Sequence, residues 1–411
     1  LAPLTISVVI VSRDRPGSLI RCLAGIDGLD YPAYEVVVVA CPEGSAAIRR
    51  TDYDSRLKLI EYDKPNISAA RNLAIAAAAG DIVAFIDDDA VPEPTWLRYL
   101  SAPFDDRSVA AVGGFVRGRN GISFQWKARE VDNGGVARPL MLDETRAMRP
   151  TPTPGWAIKT EGTNMAVRRK VLADLGGFDP GFRFYLDETD LNRRMNDAGL
   201  ETAIAPLAQV HHAYAANAQR NANRAVTDLS EIGASTAYFL RRHCPEDSIG
   251  KRLNEMIQDQ RLRVFDQLRA KKLRKSDLEP LMQSLKRGIE DGKSRDLAVL
   301  ETIPPPNAEF LPFAPRRRGS VVIKGRIWQA KRLRRVARQQ AAGGANVSLF
   351  LFGPSPRKHS VQFTDDGVWE QSGGIFGRSD RAGPLIQFTS FESRLNRERD
   401  RVAAIRGLDT K

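Results

Sequence analysis

Three apolar runs constrain this chain more than any other feature. Ile6 to Val11 (ISVVIV), Tyr34 to Val39 (YEVVVV) and Ile82 to Ile86 (IVAFI) are short, nearly unbroken and rich in β-branched residues. Strands of this kind offer no polar face to water, so they belong in a parallel sheet covered on both sides. Between them lie stretches that read as helices. Ser18 to Ile26 is amphipathic, and Ile67 to Ala79 is Ala-rich, with Ser68 placed to cap it and Gly80 to stop it. Leu57 to Glu61 and Val109 to Val116 add two more strands. The alternation predicts an α/β fold with a doubly wound, mostly parallel sheet.

The third run ends in Asp87, Asp88 and Asp89, before Pro92 and Pro94 break the strand. Adjacent carboxylates repel one another and call for a cation or solvent. The triplet therefore reads either as a solvated acidic turn or as a divalent-metal site at the carboxyl end of a parallel strand, where open α/β sheets bind ligands.

Later segments are less regular. Asn120 to Trp156 is rich in Gly, Pro and Arg and predicts a loop over the sheet face. Helices are expected at Lys170 to Leu175 and from the acidic cluster Asp187-Glu188-Thr189-Asp190 through Asn196. Thr202 to Ala205 and Gln209-Val210 read as short strands that end at His211-His212. After Cys244 the composition changes, which divides the chain into residues 1–244 and an appendage. Residues 245–302 form a charged helical segment. Residues 303–345 read as a Pro-rich linker or strap and a basic helix (IWQAKRLRRVAR), and 346–411 as a small β-containing unit with a hairpin at Thr364 to Gly367. In that unit, aromatics such as Trp369 suit core packing or a sugar platform.

The net charge of +12 suits an anionic partner. The three cysteines, Cys22, Cys41 and Cys244, make no disulfide framework, so a reducing compartment is expected. No signal peptide is legible, and the most apolar segment, Leu73 to Ile86, is interrupted and too short to span a bilayer.

Four blocks in order, ISVVIVSRDRP, NISAARNLAIAAAAGDIVAFIDDD, EGTNMAVRRKVLADLGGFD and YLDETDLNRRM, resemble glycosyltransferase family 2 with its GT-A fold. The resemblance covers about the first 240 residues. It implies an inverting enzyme that uses a nucleotide-diphosphate sugar and a divalent metal (Mn2+ or Mg2+). By that resemblance Asp89 holds the metal, with His212 and His211 as further ligands. Asp87 and Asp88 face the donor. Ser12, Arg13, Asp63 and Arg71 complete the donor side, with Asn72 beside Arg71. Asn164, Thr163 and Trp156 fall on the acceptor side. The catalytic base aligns with Glu188; the order Asp187-Glu188 reverses the family's usual one, so Asp187 stays a candidate. Asp190 is expected as an acid at the helix start.

The family's usual base-reading acid is missing after the second strand, where Ala40-Cys41-Pro42-Glu43 stands. There is no Gln-x-x-Arg-Trp motif and no membrane helices follow, which argues against a processive synthase and for single-sugar transfer. The expected partners are a nucleotide-sugar and a glycan or lipid-linked acceptor, with no nucleic acid. The expected location is the cytoplasm. The basic segment Arg316 to Arg338 suits peripheral attachment at the inner face of the membrane, a grip on an acidic glycan, or a solvated face. The alternative from another class is a catalytically inactive GT-A-like module that binds glycan or membrane.

Overall fold

The computed structural model describes residues 3–213, 221, 223, 225–316 and 319–409. The chain begins with β1 (Ile6–Ser12), α1 (Pro16–Ile26), β2 (Tyr34–Ala40), α2 (Pro42–Arg49), β3 (Lys58–Glu61), α3 (Ile67–Ala77) and β4 (Ile82–Asp87). It continues through β5 (Ala90–Pro92), α4 (Trp96–Ser101), β6 (Val109–Arg117), β7 (Phe124–Trp126), β8 (Arg129–Val131), β9 (Ala137–Pro139) and β10 (Ala157–Lys159). Next come β11 (Met165–Arg168), α5 (Arg169–Asp174), α6 (Asp187–Asp197) and β12 (Glu201–His212).

The apolar runs form the heart of a nine-stranded sheet ordered β3-β2-β1-β4-β11-β6-β12-β5, with β7 on β6. β1 lies parallel to both β2 and β4, so Val9 sits between Val37 and Phe85. β11 runs antiparallel between β4 and β6, and β5 antiparallel to β12. Both faces are covered, which is why these strands carry no polar side. Val8, Val36 and Ala84 pack with Leu19 and Leu23 of α1, while Val9, Val37 and Phe85 pack with Ala70 and Ala74 of α3.

Three local expectations change. Asn66, not Ser68, caps α3, because its side chain accepts from the Ala69 N–H; the Ser68 hydroxyl instead donates to the Phe182 carbonyl. The loop expected over Asn120 to Trp156 contains β7 to β9, each of three residues. The two short strands before His211-His212 are one strand, with its ladder broken between Ala205 and Gln209.

Helices α7 (Ser230–His243), α8 (Glu246–Arg269) and α9 (Leu278–Ser294) follow the sheet. α7 and α9 meet backbone to backbone through glycine. A Cβ on Gly288 would lie 1.9 Å from the Ser230 carbonyl oxygen, and one on Gly292 2.1 Å from that of Ala234. No side-chain rotation relieves a clash with backbone. Gly288→Ala is therefore expected to cost about 1–3 kcal/mol, read as a lower urea midpoint; a midpoint at or above wild type would refute this packing.

The Pro-rich segment is a strap on the sheet domain. The Ile303 N–H bonds to the Ala173 carbonyl and the Phe313 N–H to that of Tyr34, and the Phe313 ring packs beside Tyr34. Arg317 and Arg318 of the basic segment lie outside the described residues. Beyond them come β13 (Ser320–Arg326), α10 (Ala330–Ala342), β14 (Asn346–Gly353), β15 (Ser360–Phe363), β16 (Val368–Gly374) and α11 (Phe391–Arg406). The four strands form one sheet, ordered β13-β14-β16-β15. The break drawn from composition at residue 345 thus falls inside this sheet. β13 was hidden in the basic run, and α10 buries Leu333, Ala337 and Ala341 toward Val347 and Leu349 of β14. The hairpin at Thr364 to Gly367 joins β15 to β16, and Trp369 is buried.

Candidate active site

The acidic triplet sits where β4 ends. The β1–β4 register places Val11 beside Asp87, so the turn after β1 reaches the next two acids. Asp88 is fully buried: the Ser12 hydroxyl donates to it at 2.7 Å and Arg15 pairs with it at 2.5 Å. Arg15 also lies 3.4 Å from Asp89. Burial pushes the Asp88 carboxyl up to about 7, against the pull of Arg15 and with the push of Asp89.

Asp87 and Asp89 turn instead toward His212. Each of these three residues offers a ligand atom, and the atoms lie within 4.8 Å of one another. Two carboxylates and an imidazole suit Mn2+ or Mg2+. The second ring nitrogen supports that fit. His212 Nδ1 meets the Gln125 side-chain oxygen at 3.0 Å, which turns Nε2 toward Asp89 at 3.1 Å and Asp87 at 3.9 Å. The Trp126 ring stacks on the imidazole.

The second acidic cluster opens α6. Two residues before it, Tyr185 and Leu186, adopt left-handed backbone at φ 74° and 65°. Side chains rarely hold that conformation, and such strain gathers at functional sites. It launches Asp187 and Glu188 from the first turn of the helix. Asp187 makes a close ion pair with Arg71 of α3, and Glu188 meets Lys159 of β10 at 2.8 Å. Burial pushes the Asp187 carboxyl up, against Arg71. Burial also acts on Glu188, but the Lys159 ammonium overrides it and holds that carboxyl low. Arg71 joins the two clusters, since it also lies 3.5 Å from Asp87 and 3.4 Å from the Gly162 carbonyl.

The structure therefore brings together Asp87, Asp89, His212, Arg71, Asp187 and Glu188. Ser12 and Asp88 lie underneath, bonded to each other. Arg13 and Asp63 pair at 3.4 Å on the exposed rim beyond the ends of β1 and β3.

Other expected residues go elsewhere. His211 does not join the metal-type group. Neighbours on a strand point to opposite faces, and its Nε2 meets Glu93 at 2.7 Å. Asn164 is not placed to touch an acceptor: it is fully buried, accepts from the Trp96 indole at 2.8 Å, and donates to the Phe115 and Ala208 carbonyls. Asn72 exchanges hydrogen bonds with the Phe178 backbone. Thr163 is buried beside Asn164, and the Trp156 ring lies under the Arg138 guanidinium at 3.8 Å. Asp190, in the first turn of α6, bonds to His243 and Arg194 at 2.8 Å each.

Sequence reasoning missed Arg15, Lys159 and Gln125. Arg15 stands in the short polar turn between β1 and α1. Lys159 carries no local signal of its link to the acidic cluster, because Glu188 is 29 residues away.

Fold and site together define a doubly wound α/β protein whose two acidic clusters meet at the carboxyl ends of its strands. The model of the family described as "Glycosyltransferase like family 2" matches residues 2–227, and the chain belongs to that family. It is 29% identical over 208 residues to glycosyltransferase AglE of Haloferax volcanii, a match that covers 49% of this chain and 64% of that protein. It is 28% identical over 216 residues to the pre-mycofactocin glycosyltransferase of Mycobacterium tuberculosis, covering 50% and 42%. It is 28% identical over 221 residues to the succinoglycan biosynthesis protein ExoM of Rhizobium meliloti, covering 50% and 65%. The chain thus spans less than two thirds of each relative's length. Among solved structures, GalNAc-T7 with UDP, GalNAc and Mn2+ aligns at a TM-score of 0.44 and 19% identity, over 58% of this chain and 48% of that one.

Proposed function

We propose that this chain is an inverting, divalent-metal-dependent glycosyltransferase. It moves a single sugar from a nucleotide-diphosphate sugar to a glycan or lipid-linked acceptor in surface polysaccharide biosynthesis. The observation that carries the reading is the joining of a cation-type group, Asp87, Asp89 and His212, to the acidic pair Asp187-Glu188 through the buried guanidinium of Arg71, which meets Asp87 and Asp187.

A bound divalent cation supplies neutralisation of the departing diphosphate. The protein's own groups do the rest. Asp87 keeps 31% of its side chain exposed and can face the donor, while Asp89, at 2%, is aimed inward beside His212. Glu188 receives the acceptor hydroxyl's proton. One base on the acceptor side, with no second carboxylate needed as nucleophile, matches direct displacement with inversion.

ExoM is named for succinoglycan biosynthesis, which supports the polysaccharide assignment. Among the described residues no helix is long and apolar enough to cross a membrane. The basic segment spends part of its charge internally, Arg334 on Glu370 and Arg338 on Asp366. Lys331, Arg332 and Arg335 stay exposed for an anionic acceptor or a cytoplasmic membrane surface.

A thermal-shift screen of nucleoside diphosphates and nucleotide-sugars, with and without Mn2+, tests the reading. One nucleotide is expected to raise the melting temperature only with metal, and Asp89→Ala to abolish the shift. No shift with any nucleotide, together with no donor hydrolysis, would replace the enzyme by an inactive binding module.

A further inference from the structure

His211 and His212 are adjacent on β12 but serve different neighbourhoods. His212 faces Asp87 and Asp89, whereas His211 points into a buried network built with the C-terminal helix. Its Nε2 meets Glu93 at 2.7 Å, and Glu93 is held by Arg406 of α11 through two bonds, of 2.9 and 3.2 Å. All three side chains are nearly or fully buried. Trp369 of β16 closes the network, with its ring 4.7 Å from His211 and 4.8 Å from the Arg406 guanidinium. The Thr95 N–H and hydroxyl both bond to the Ile405 carbonyl, which fixes the end of α11 against the turn after β5.

The network sits at the β5 edge of the sheet. The last three residues of β12 pair with β5, Val210 with Pro92, His211 with Val91 and His212 with Ala90. Pro92 has no N–H to give to that ladder. On its other side β12 pairs with β6 as far as His211 with Arg117, and the Ala213 N–H bonds to the Asp89 carbonyl, so His212 sits in a backbone frame to which the Glu93–His211 bond adds a side-chain tie. Glu93 stays ionised in its dry site because Arg406 neutralises it.

We propose that Arg406, with Glu93 and His211, positions His212 for the cation, so that the C-terminal unit is part of the metal centre. Arg406 and Trp369 lie outside residues 2–227, the stretch that the family model matches. The proposal rests on the metal reading above. In metal proteins, groups that orient a ligand typically change affinity by roughly 10- to 100-fold when removed.

The probe is Mn2+ alone, titrated into the full chain and followed by the electron paramagnetic resonance signal of free Mn2+, with melting temperatures recorded in parallel. His211→Phe keeps a ring against Trp369 and leaves the Glu93–Arg406 pair whole. It is expected to melt near wild type yet bind Mn2+ roughly tenfold or more weakly. Arg406→Met is expected to lose affinity similarly and to melt lower, with Arg406→Lys recovering part of both. His212→Ala is the reference and should lose Mn2+ binding. Wild-type affinity in His211→Phe, with His212→Ala defective, would overturn this proposal alone. Wild-type affinity in His212→Ala would overturn the metal reading and this proposal with it.

Discussion

Glu188→Gln is expected to lower sugar transfer by about 10²–10⁴-fold, the usual worth of a positioned general base, while donor binding survives. Gln keeps the size of the side chain and can still accept from Lys159, so the site should not collapse. It cannot take up a proton. Glu188 is the better base of the two adjacent acids on geometry. Its side chain keeps 18% exposure, whereas Asp187 keeps 5% and is locked to Arg71. The Lys159 ammonium also holds Glu188 low, so the base is ionised throughout the neutral range. The acid limb of the rate profile should accordingly lie below that of an ordinary glutamate. The check is a transfer assay beside a nucleotide thermal shift: activity should fall and the shift persist. A smaller loss in Glu188→Gln than in Asp187→Asn, at equal stability, would reassign the base.

The features that were legible in the sequence share a physical cause. A strand buried on both faces has no choice but to be continuously apolar, so β1, β2 and β4 announced themselves and placed Asp87 to Asp89 at a strand end. What stayed hidden depends on partners distant in the chain. α2 is short and holds one large apolar residue, Ile48, so it shows no apolar periodicity, and Gly44 weakens its helical propensity. β13 is a short apolar run inside a stretch whose charge reads as helix or surface. The resemblance puts Asn164 on the acceptor side, and nothing local shows that its amide is consumed by Trp96 and two carbonyls. The His211-His212 pair was separable in principle: strand alternation allows only one of two neighbours to face the acids, though not which one. Lys159 and Arg406 acquire their roles only when strands and helices far apart in sequence are brought together.

Arg71→Met is expected to be the most destabilising single change in the site, at about 3–5 kcal/mol, the cost of leaving a buried charge without its partner. Both side chains of the Arg71–Asp187 pair are nearly inaccessible, at 6% and 5% exposure. Met preserves contact with the Phe178 and Phe85 rings that lie under the guanidinium, so the loss reports charge more than packing. The pH dependence has a definite sign. Burial already raises the Asp187 carboxyl, and Arg71 is the group that pulls it down. Without Arg71 the folded value rises further above the unfolded value of about 3.9. Native stability is then greatest below the unfolded value, where Asp187 is neutral in both states, and is lost as the pH rises through the folded value. Arg71→Met should therefore sit closest to wild type near pH 5 and furthest from it near pH 8 to 9, by roughly the span this linkage allows. Asp187→Asn added to Arg71→Met removes the orphaned charge and should restore most of the loss at pH 8. Urea midpoints of the four proteins across that range measure the cycle. A cost that is flat with pH, or that Asp187→Asn fails to relieve, would mean that Arg71 stabilises the fold through Asp87 or the Gly162 carbonyl rather than through Asp187.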